Sequence, residues 1–190
     1  MREHFTEAFV LNNKDLGELD SLITLYTADF GKVIAKTKSS KKITSKLVGH
    51  LQPLNFANVR LIEKNSLLAG RQGFQIIDAL TNYENKIPTT DMHHLKKNLN
   101  VAEFINEMTY ELQQDSRLWE AIKKIFASNL EEKIIYRGLL KILGFGPEFA
   151  TCAFCHKNEA KFFIKTEHSF LCQNCGQGNL KISQNEVVSI

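Results

Sequence analysis

Cysteine is absent from the first 151 residues of this 190-residue chain; all four thiols fall between Cys152 and Cys175. Disulfides spread through the fold are therefore excluded, and whatever the thiols do, they do in one place. Long apolar runs are missing too. No stretch of about eighteen apolar residues occurs, so no membrane-spanning helix is expected. The opening Met1-Arg-Glu-His-Phe5 has no apolar core and no small-residue cleavage site, so nothing points to secretion and a cytoplasmic location is expected. Also lacking are G-x-x-x-x-G-K-[ST], H-E-x-x-H and G-x-S-x-G, and no H-x-E precedes a P-C-x-x-C as in zinc deaminases. The sequence thus offers no positive sign of an enzyme or of a small-molecule substrate.

What is present begins with those cysteines. Cys152-x-x-Cys155 and Cys172-x-x-Cys175 are separated by sixteen residues, the spacing of a four-thiolate zinc site. Each pair can fold into a knuckle that aims two sulfurs at one point, and two knuckles close a tetrahedron with Zn–S distances of about 2.3 Å. Gly176, directly after the second pair, suits the backbone twist of such a knuckle, and His156 holds the matching place in the first. Four sulfurs fill zinc's usual coordination, so one structural Zn2+ is expected, with no open position for water or substrate. A disulfide or a redox centre is the alternative, and a reducing cytosol disfavours the former. Residues 151–182 are too few to build their own core, and metal is a usual remedy at that size.

The formal net charge of +3 is unevenly placed. Lys32 to Lys46 holds six lysines and no acid, so any nucleic-acid affinity must come from that patch and not from global charge. Lys36, Lys38, Lys41, Lys42 and Lys46, with Ser39, Ser40, Thr44 and Ser45 between them, combine cations for phosphates with hydroxyl donors. Lys14 and Arg71 are weaker candidates for the same role. A merely solvated loop is the alternative for this run.

The first eighty residues alternate short apolar runs with turns. Strands are expected at Glu7–Leu11, Ser21–Thr27, Gly31–Lys36, Phe56–Glu63 and Leu67–Ile77, which together suggest a small antiparallel barrel or sandwich. Such barrels commonly bind single strands along one face. From Pro88 the period changes. Leu95, Leu99, Ala102, Ile105, Met108 and Leu112 step by three and four, which predicts a helix over 91–113. Asp115-Ser116 caps a second helix carrying Leu118, Ile122, Ile125 and Phe126. A third is expected from Leu130 to Leu143, with Ile134, Ile135, Leu139, Ile142 and Leu143 facing a core, stopped by Gly144-Phe-Gly146-Pro147. Strands followed by helices give an α+β layout. The expected organisation is a barrel over 1–80, a helical domain over 81–150, a zinc module over 151–182 and a tail over 183–190, with Gln177–Ile190 read as loop.

Other polar residues read blandly. Glu18 and Asp20 form a charged turn before a strand more readily than an acid–base pair. His93 and His94 diverge by about 100° on a helix and cannot easily share a metal. His4, His50 and His168 are isolated in sequence, and Phe104, Trp119 and Phe126 sit at helical core spacing.

Three segments resemble one known family. Phe9-Val-Leu-Asn-Asn-Lys-Asp-Leu-Gly-Glu18-Leu-Asp20, with Thr27 and Gly31-Lys32, resembles the opening of the RecO family of bacterial recombination mediators. Ala35 to Leu47, followed by Leu51-Gln52-Pro53, is similar to its basic segment, and Leu143-Gly144-Phe-Gly-Pro147 resembles its approach to a zinc knuckle. The resemblance implies an oligonucleotide-binding-type β-barrel followed by a helical domain with an embedded four-cysteine zinc module. It implies binding of single- and double-stranded DNA, strand annealing, and help in loading a recombinase at the nucleoid, with a RecR-type partner and contact to the tail of single-strand-binding protein. Two departures stand out. Members commonly continue for several dozen residues beyond the knuckles, whereas this sequence ends at Ile190, which predicts a reduced helical domain. Their basic segment usually includes arginine and glycine, whereas this one has lysines and Ser39-Ser40, and lysine meets phosphate as a point charge without a bidentate fork. A zinc-ribbon protein-interaction adaptor without DNA binding is the alternative reading.

Overall fold

The structure is a computed structural model that describes residues 2–40, 42, 45–65, 72–85, 87, 91–156, 159–178 and 186–190. The chain divides into two compact units, Met1–Ala127 and Ser128–Ile190. No helix among the described residues is long and apolar enough to cross a membrane.

The first unit is built on five strands: β1 (Glu3–Leu16), β2 (Asp20–Thr27), β3 (Gly31–Thr37), β4 (Phe56–Asn65) and β5 (Gln72–Thr81). They form a closed barrel in the order β1-β2-β3-β5-β4. Alternation of side chains drives this. In β3, Val33 and Ala35 are buried inside while Lys32, Ile34 and Lys36 lie on the other face and are half-buried. Strand β1 serves two neighbours: Glu3–Phe9 pair with β4 and Ala8–Leu16 with β2, and a register shift between Val10 and Asn12 lets the strand bend from one to the other. The ring closes where β3 meets β5 in parallel, with Ala35 opposite Phe74. Closure removes sheet edges, and the interior fills with Val10, Ile23, Leu25, Val33, Leu61 and Ile76. Between β3 and β4 a single helical turn, α1 (Leu47–His50), delivers Leu51 into the same core. The His50 ring nitrogen Nδ1 accepts the Thr81 backbone N–H at 3.2 Å, tying α1 to β5. The fifth strand was expected from Leu67; it is described from Gln72 to Thr81, and residues 66–71 lie outside the described ones.

Helices α2 (Met92–Met108) and α3 (Ser116–Ala127) complete this unit. The ring of Phe9 meets Phe56 at 4.8 Å and Phe126 of α3 at 4.4 Å, and Phe56 in turn meets Trp119. Asp91 caps α2 by accepting the His94 N–H at 2.8 Å, which places His93 and His94 in its first turn as expected. The expected reach of this helix to 113 is corrected: it stops at Met108. Thr109 turns its hydroxyl back onto the Ile105 carbonyl at 2.6 Å, and the chain then runs extended beside β3, where the Leu112 N–H donates to the Lys32 carbonyl. Leu112, read as part of a helical stripe, takes a positive φ of 59°. Leu99, read the same way, is 41% exposed, whereas Ala102, Ile105 and Met108 of the expected stripe are buried, together with Val101 and Phe104. Gly31 is fixed by this crossing. It has φ +67°, and a Cβ there would run into the Gln113 backbone carbonyl.

The second unit holds α4 (Glu132–Ile142), which buries Ile135, Tyr136, Leu139 and Leu140. Ile134, expected to face a core, is exposed. Gly144 and Gly146, both at positive φ, end the helix before a short 3-10 turn at Pro147–Phe149. A three-stranded sheet follows, β7-β6-β8, from β6 (Phe162–Ile164), β7 (Ser169–Leu171) and β8 (Val187–Ser189), with α5 (Gln173–Gly178) after β7. Strand β8 corrects the expectation of a loose tail. Phe163 pairs with Val188, and the Ile190 N–H donates to the Lys161 carbonyl, so the last residues are part of the sheet. Val188 and Ile190 are buried there.

Candidate nucleic-acid interface and metal centre

One end of the barrel carries an open groove of about 580 Å³. Its walls are Asn13 and Asp15 of β1, Ser21 and Ile23 of β2, Thr37 of β3, and Ser40, Lys42 and Ser45 of the basic segment. Leu47, Val48, Leu51, Gln52 and Pro53, from α1 and its exit, form the remainder. The wall between β2 and the basic segment is stitched by hydroxyls. Ser40 Oγ donates to Ser21 Oγ at 2.9 Å, and Thr37 Oγ1 donates to the Ser21 carbonyl at 3.1 Å. The basic segment itself is turned by backbone bonds from the Lys42 N–H to the Ser39 carbonyl and from the Ser45 N–H to the Lys42 carbonyl.

The lysines expected to meet phosphate divide by environment. Lys42 lines the groove, Lys38 follows Thr37, and Lys46 follows Ser45; all three are exposed, as is Lys14 on β1. Among the described residues none of these four has an ion-pair partner. Lys36 differs: its Nζ lies 2.7 Å from Asp20 Oδ2. Lys32, at the far end of β3, donates to the Asn106 carbonyl of α2 at 2.7 Å, and burial pulls its pKa below the ordinary lysine value. Lys41 and Arg71 lie outside the described residues.

Sequence reasoning left Asp20 as a charged turn. In the structure its carboxylate accepts from two sides, Lys36 at 2.7 Å and the Ser39 backbone N–H at 2.9 Å. The Lys36 ammonium first, and the Ser39 N–H next, hold its pKa below the ordinary carboxylate value. Ser39 needs such a hold because its φ is +53°, a region that non-glycine residues rarely occupy. Nothing in the local sequence marks this role, since Asp20 is one of several acids, Asp15, Glu18 and Asp29 among them, ahead of the lysine-rich run.

The four cysteines converge in the second unit. Ligand atoms of Cys152, Cys155, Cys172 and Cys175 all lie within 4.8 Å of one another, with Cys155 and Cys172 sulfurs 3.5 Å apart. Thiolates at about 2.3 Å from a shared ion sit about 3.8 Å from one another, so this donor set fits zinc in spacing and in chemistry. Each knuckle closes with a backbone bond, from the His156 N–H to the Cys152 carbonyl and from the Gly176 N–H to the Cys172 carbonyl, both 2.9 Å. The reason given above for Gly176 is corrected. It is His156 that takes the left-handed twist, at φ +57°. Gly176 is required because a Cβ there would strike the Phe162 ring.

The close packing sets the protonation of the sulfurs apart from one another. Burial pushes the Cys152 thiol up, but backbone N–H groups of Cys155, Cys172 and Phe154 outweigh it and bring the pKa down to about 6. The adjacent Cys172 sulfur, then burial, drives Cys175 up to about 12. Sulfurs this crowded do not all ionise unaided, and a divalent cation bound among them would favour the thiolate form of all four.

The chain matches known proteins along most of its length. Residues 1–78 match the family model "Recombination protein O N terminal", and residues 99–188 match "Recombination protein O C terminal". The DNA repair protein RecO of Thermoanaerobacter sp. is 29% identical over 184 residues, covering 92% of this chain and 72% of that protein. The RecO of Bacillus mycoides is 30% identical over 196 residues, covering 96% of this chain and 75% of its own length. The RecO of Dehalococcoides mccartyi is 27% identical over 198, covering 96% and 74%. With a closed five-stranded barrel, helices and a four-cysteine cluster in the matched order, the chain belongs to the RecO family of DNA repair proteins.

Proposed function

We propose that the chain binds DNA at the groove end of its barrel and works without covalent chemistry, bringing strands together and assisting recombinase loading on protein-coated single strands. The observation that carries this reading is the set of exposed lysines, Lys38, Lys42 and Lys46, at and beside a hydroxyl-walled groove in a barrel of this type. Lys14 extends the same surface from β1, and Lys41 and Arg71 are assigned to it from sequence. Lys36 enters only as half of its pair with Asp20, so a phosphate there competes with a carboxylate.

The mechanism is electrostatic. A strand laid across the lysines releases condensed counterions, and its charge is partly neutralised. A second, complementary strand then approaches against less repulsion, and pairing proceeds from the first matched contact. Both single- and double-stranded DNA fit a surface that reads phosphate and not base edges.

One Zn2+ held by Cys152, Cys155, Cys172 and Cys175 completes the reading. When bound, zinc supplies a structural cross-link and no reactive position, since all four donors are protein sulfurs. The protein partners proposed are a RecR-type protein and the tail of single-strand-binding protein. Phe149 and Phe154, 88% and 58% exposed, give the second unit apolar surface of the kind protein contacts use.

The test is fluorescence anisotropy of a labelled single-stranded oligonucleotide titrated with zinc-loaded protein across salt. Four lysine–phosphate contacts predict a slope of log K against log salt of about −3. Binding that is absent at low salt would leave the adaptor reading in place of this one.

A further inference from the structure

Asp20 is an acid beside a surface that the reading above assigns to phosphate. By charge alone it should oppose that role. Its geometry says otherwise. It is absent from the groove lining, while its neighbour Ser21 is part of that lining. One carboxylate oxygen takes the Ser39 N–H at 2.9 Å and the other takes Lys36 Nζ at 2.7 Å. Ser39 is the residue at φ +53°, and the next residue, Ser40, is buried with its hydroxyl on Ser21. The stretch 37–40 is thus anchored to the start of β2 at three points: the Thr37 hydroxyl on the Ser21 carbonyl, the Ser40 hydroxyl on the Ser21 hydroxyl, and the Ser39 N–H on the Asp20 carboxylate.

We infer that Asp20 is a positioning residue for DNA binding, which holds the backbone at Ser39 so that Lys38 and Lys42 stand beside the groove. This rests on the assignment of DNA to that groove. Lys38 leaves the turn immediately before Ser39, and the Lys42 N–H is bonded to the Ser39 carbonyl, so the backbone at Ser39 sets where both lysines start. Releasing it lets the turn relax toward ordinary φ and moves two cations. Spending one lysine, Lys36, on the acid is the cost of fixing the others.

Two accounts then make opposite predictions. If Asp20 acts only as a negative charge, Asp20→Ala and Asp20→Asn both remove it and both tighten DNA binding, by about twofold for a unit charge some 10 Å away in water. If Asp20 positions the turn, Asp20→Ala weakens binding by about tenfold, the scale of a lost hydrogen bond to a charged group. Asp20→Asn keeps an oxygen for the Ser39 N–H and restores most of the affinity.

The experiment is the oligonucleotide titration on zinc-loaded wild type, Asp20→Ala and Asp20→Asn at one salt concentration. Thermal melts accompany it, with amide exchange at Ser39. The expected result is a weaker Ala variant, an Asn variant within about threefold of wild type, melting lowered by no more than the few degrees that one hydrogen bond is worth, and faster Ser39 exchange in the Ala variant alone. Tighter or equal binding by both variants overturns the positioning role while leaving the groove assignment intact. So does an Ala variant that is partly unfolded at the temperature of the titration. Wild type that does not bind overturns the groove assignment, and this role falls with it.

Discussion

The two units of this chain reach order by different means. In the first, a closed ring of five strands surrounds a continuous apolar core, and Phe9 adds a second cluster with Phe56 and Phe126 outside it. In the second, the strands of the sheet are three residues long, and among the described residues the cluster around the cysteines buries Ile164 and Leu171 with Cys152 and Cys172, and packs Phe162 and Val187 against them. Burying one aliphatic side chain is worth about 1.5–3 kcal/mol, so the barrel can stand on its core. Strands that short add little by themselves, and the sulfur cluster supplements the side chains that α4 and the sheet bury, among them Leu139, Leu140 and Phe163. The same contrast divides the chemistry. The first unit shows Lys38, Lys42 and Lys46 to solvent, whereas the second turns its thiols toward one another.

The sharpest way to break this comparison is to remove the metal. Structural zinc contributes about 10–16 kcal/mol in small modules, comparable to or above the net stability of a whole domain. Cys172→Ser is expected to lose zinc and amide protection across 161–172 and 187–190, with the barrel strands still protected. Stoichiometric zinc with an unchanged melting curve in that variant would contradict the structural assignment. On the barrel side, Phe9→Ala removes a fully buried ring between Phe56 and Phe126 and is expected to cost about 3–5 kcal/mol, read by urea denaturation. Its zinc content should not change. A loss of metal on this substitution would show that the units do not stand apart energetically.

Charge gives the next effect. Lys38→Glu with Lys42→Glu removes two phosphate contacts and adds repulsion, and about a hundredfold weaker single-strand binding is expected, with the salt slope shallower by about 1.4. Thermal stability should stay put, since both side chains are exposed. Unaltered binding would return the lysine run to a solvated loop. The smallest change is Gly176→Ala. Its new methyl meets the Phe162 ring, so overpacking of about 1–3 kcal/mol is expected, visible as a lower melting temperature with zinc retained.

Much of this division was legible in the sequence, and the misses have physical causes. The four cysteines were readable because ligand spacing is a local property, and the structure brings them together. Strand alternation in β2 and β3 was readable for the same reason. The parallel closure of β3 on β5 was not, because register between distant strands leaves no local mark. Helix α2 was overextended since Leu112 continued the three-and-four spacing by chance, while its real partner is the Lys32 carbonyl. Strand β8 was missed because three residues are too few to show a period, though Val187-Val188 carried the β-branched signal. Asp20 was read as a surface charge because its partners, Lys36 and Ser39, lie sixteen or more residues away.

The claim that the barrel binds while the cysteine module holds shape is tested most directly by one titration done twice. Single-strand affinity and its salt slope are measured on zinc-loaded protein, then on the same protein stripped with a strong chelator. Equal affinity and slope in both, with metal gone and protection lost in 161–172 and 187–190 alone, is the predicted result. Affinity that falls in step with metal content would contradict it and place DNA contacts in the second unit.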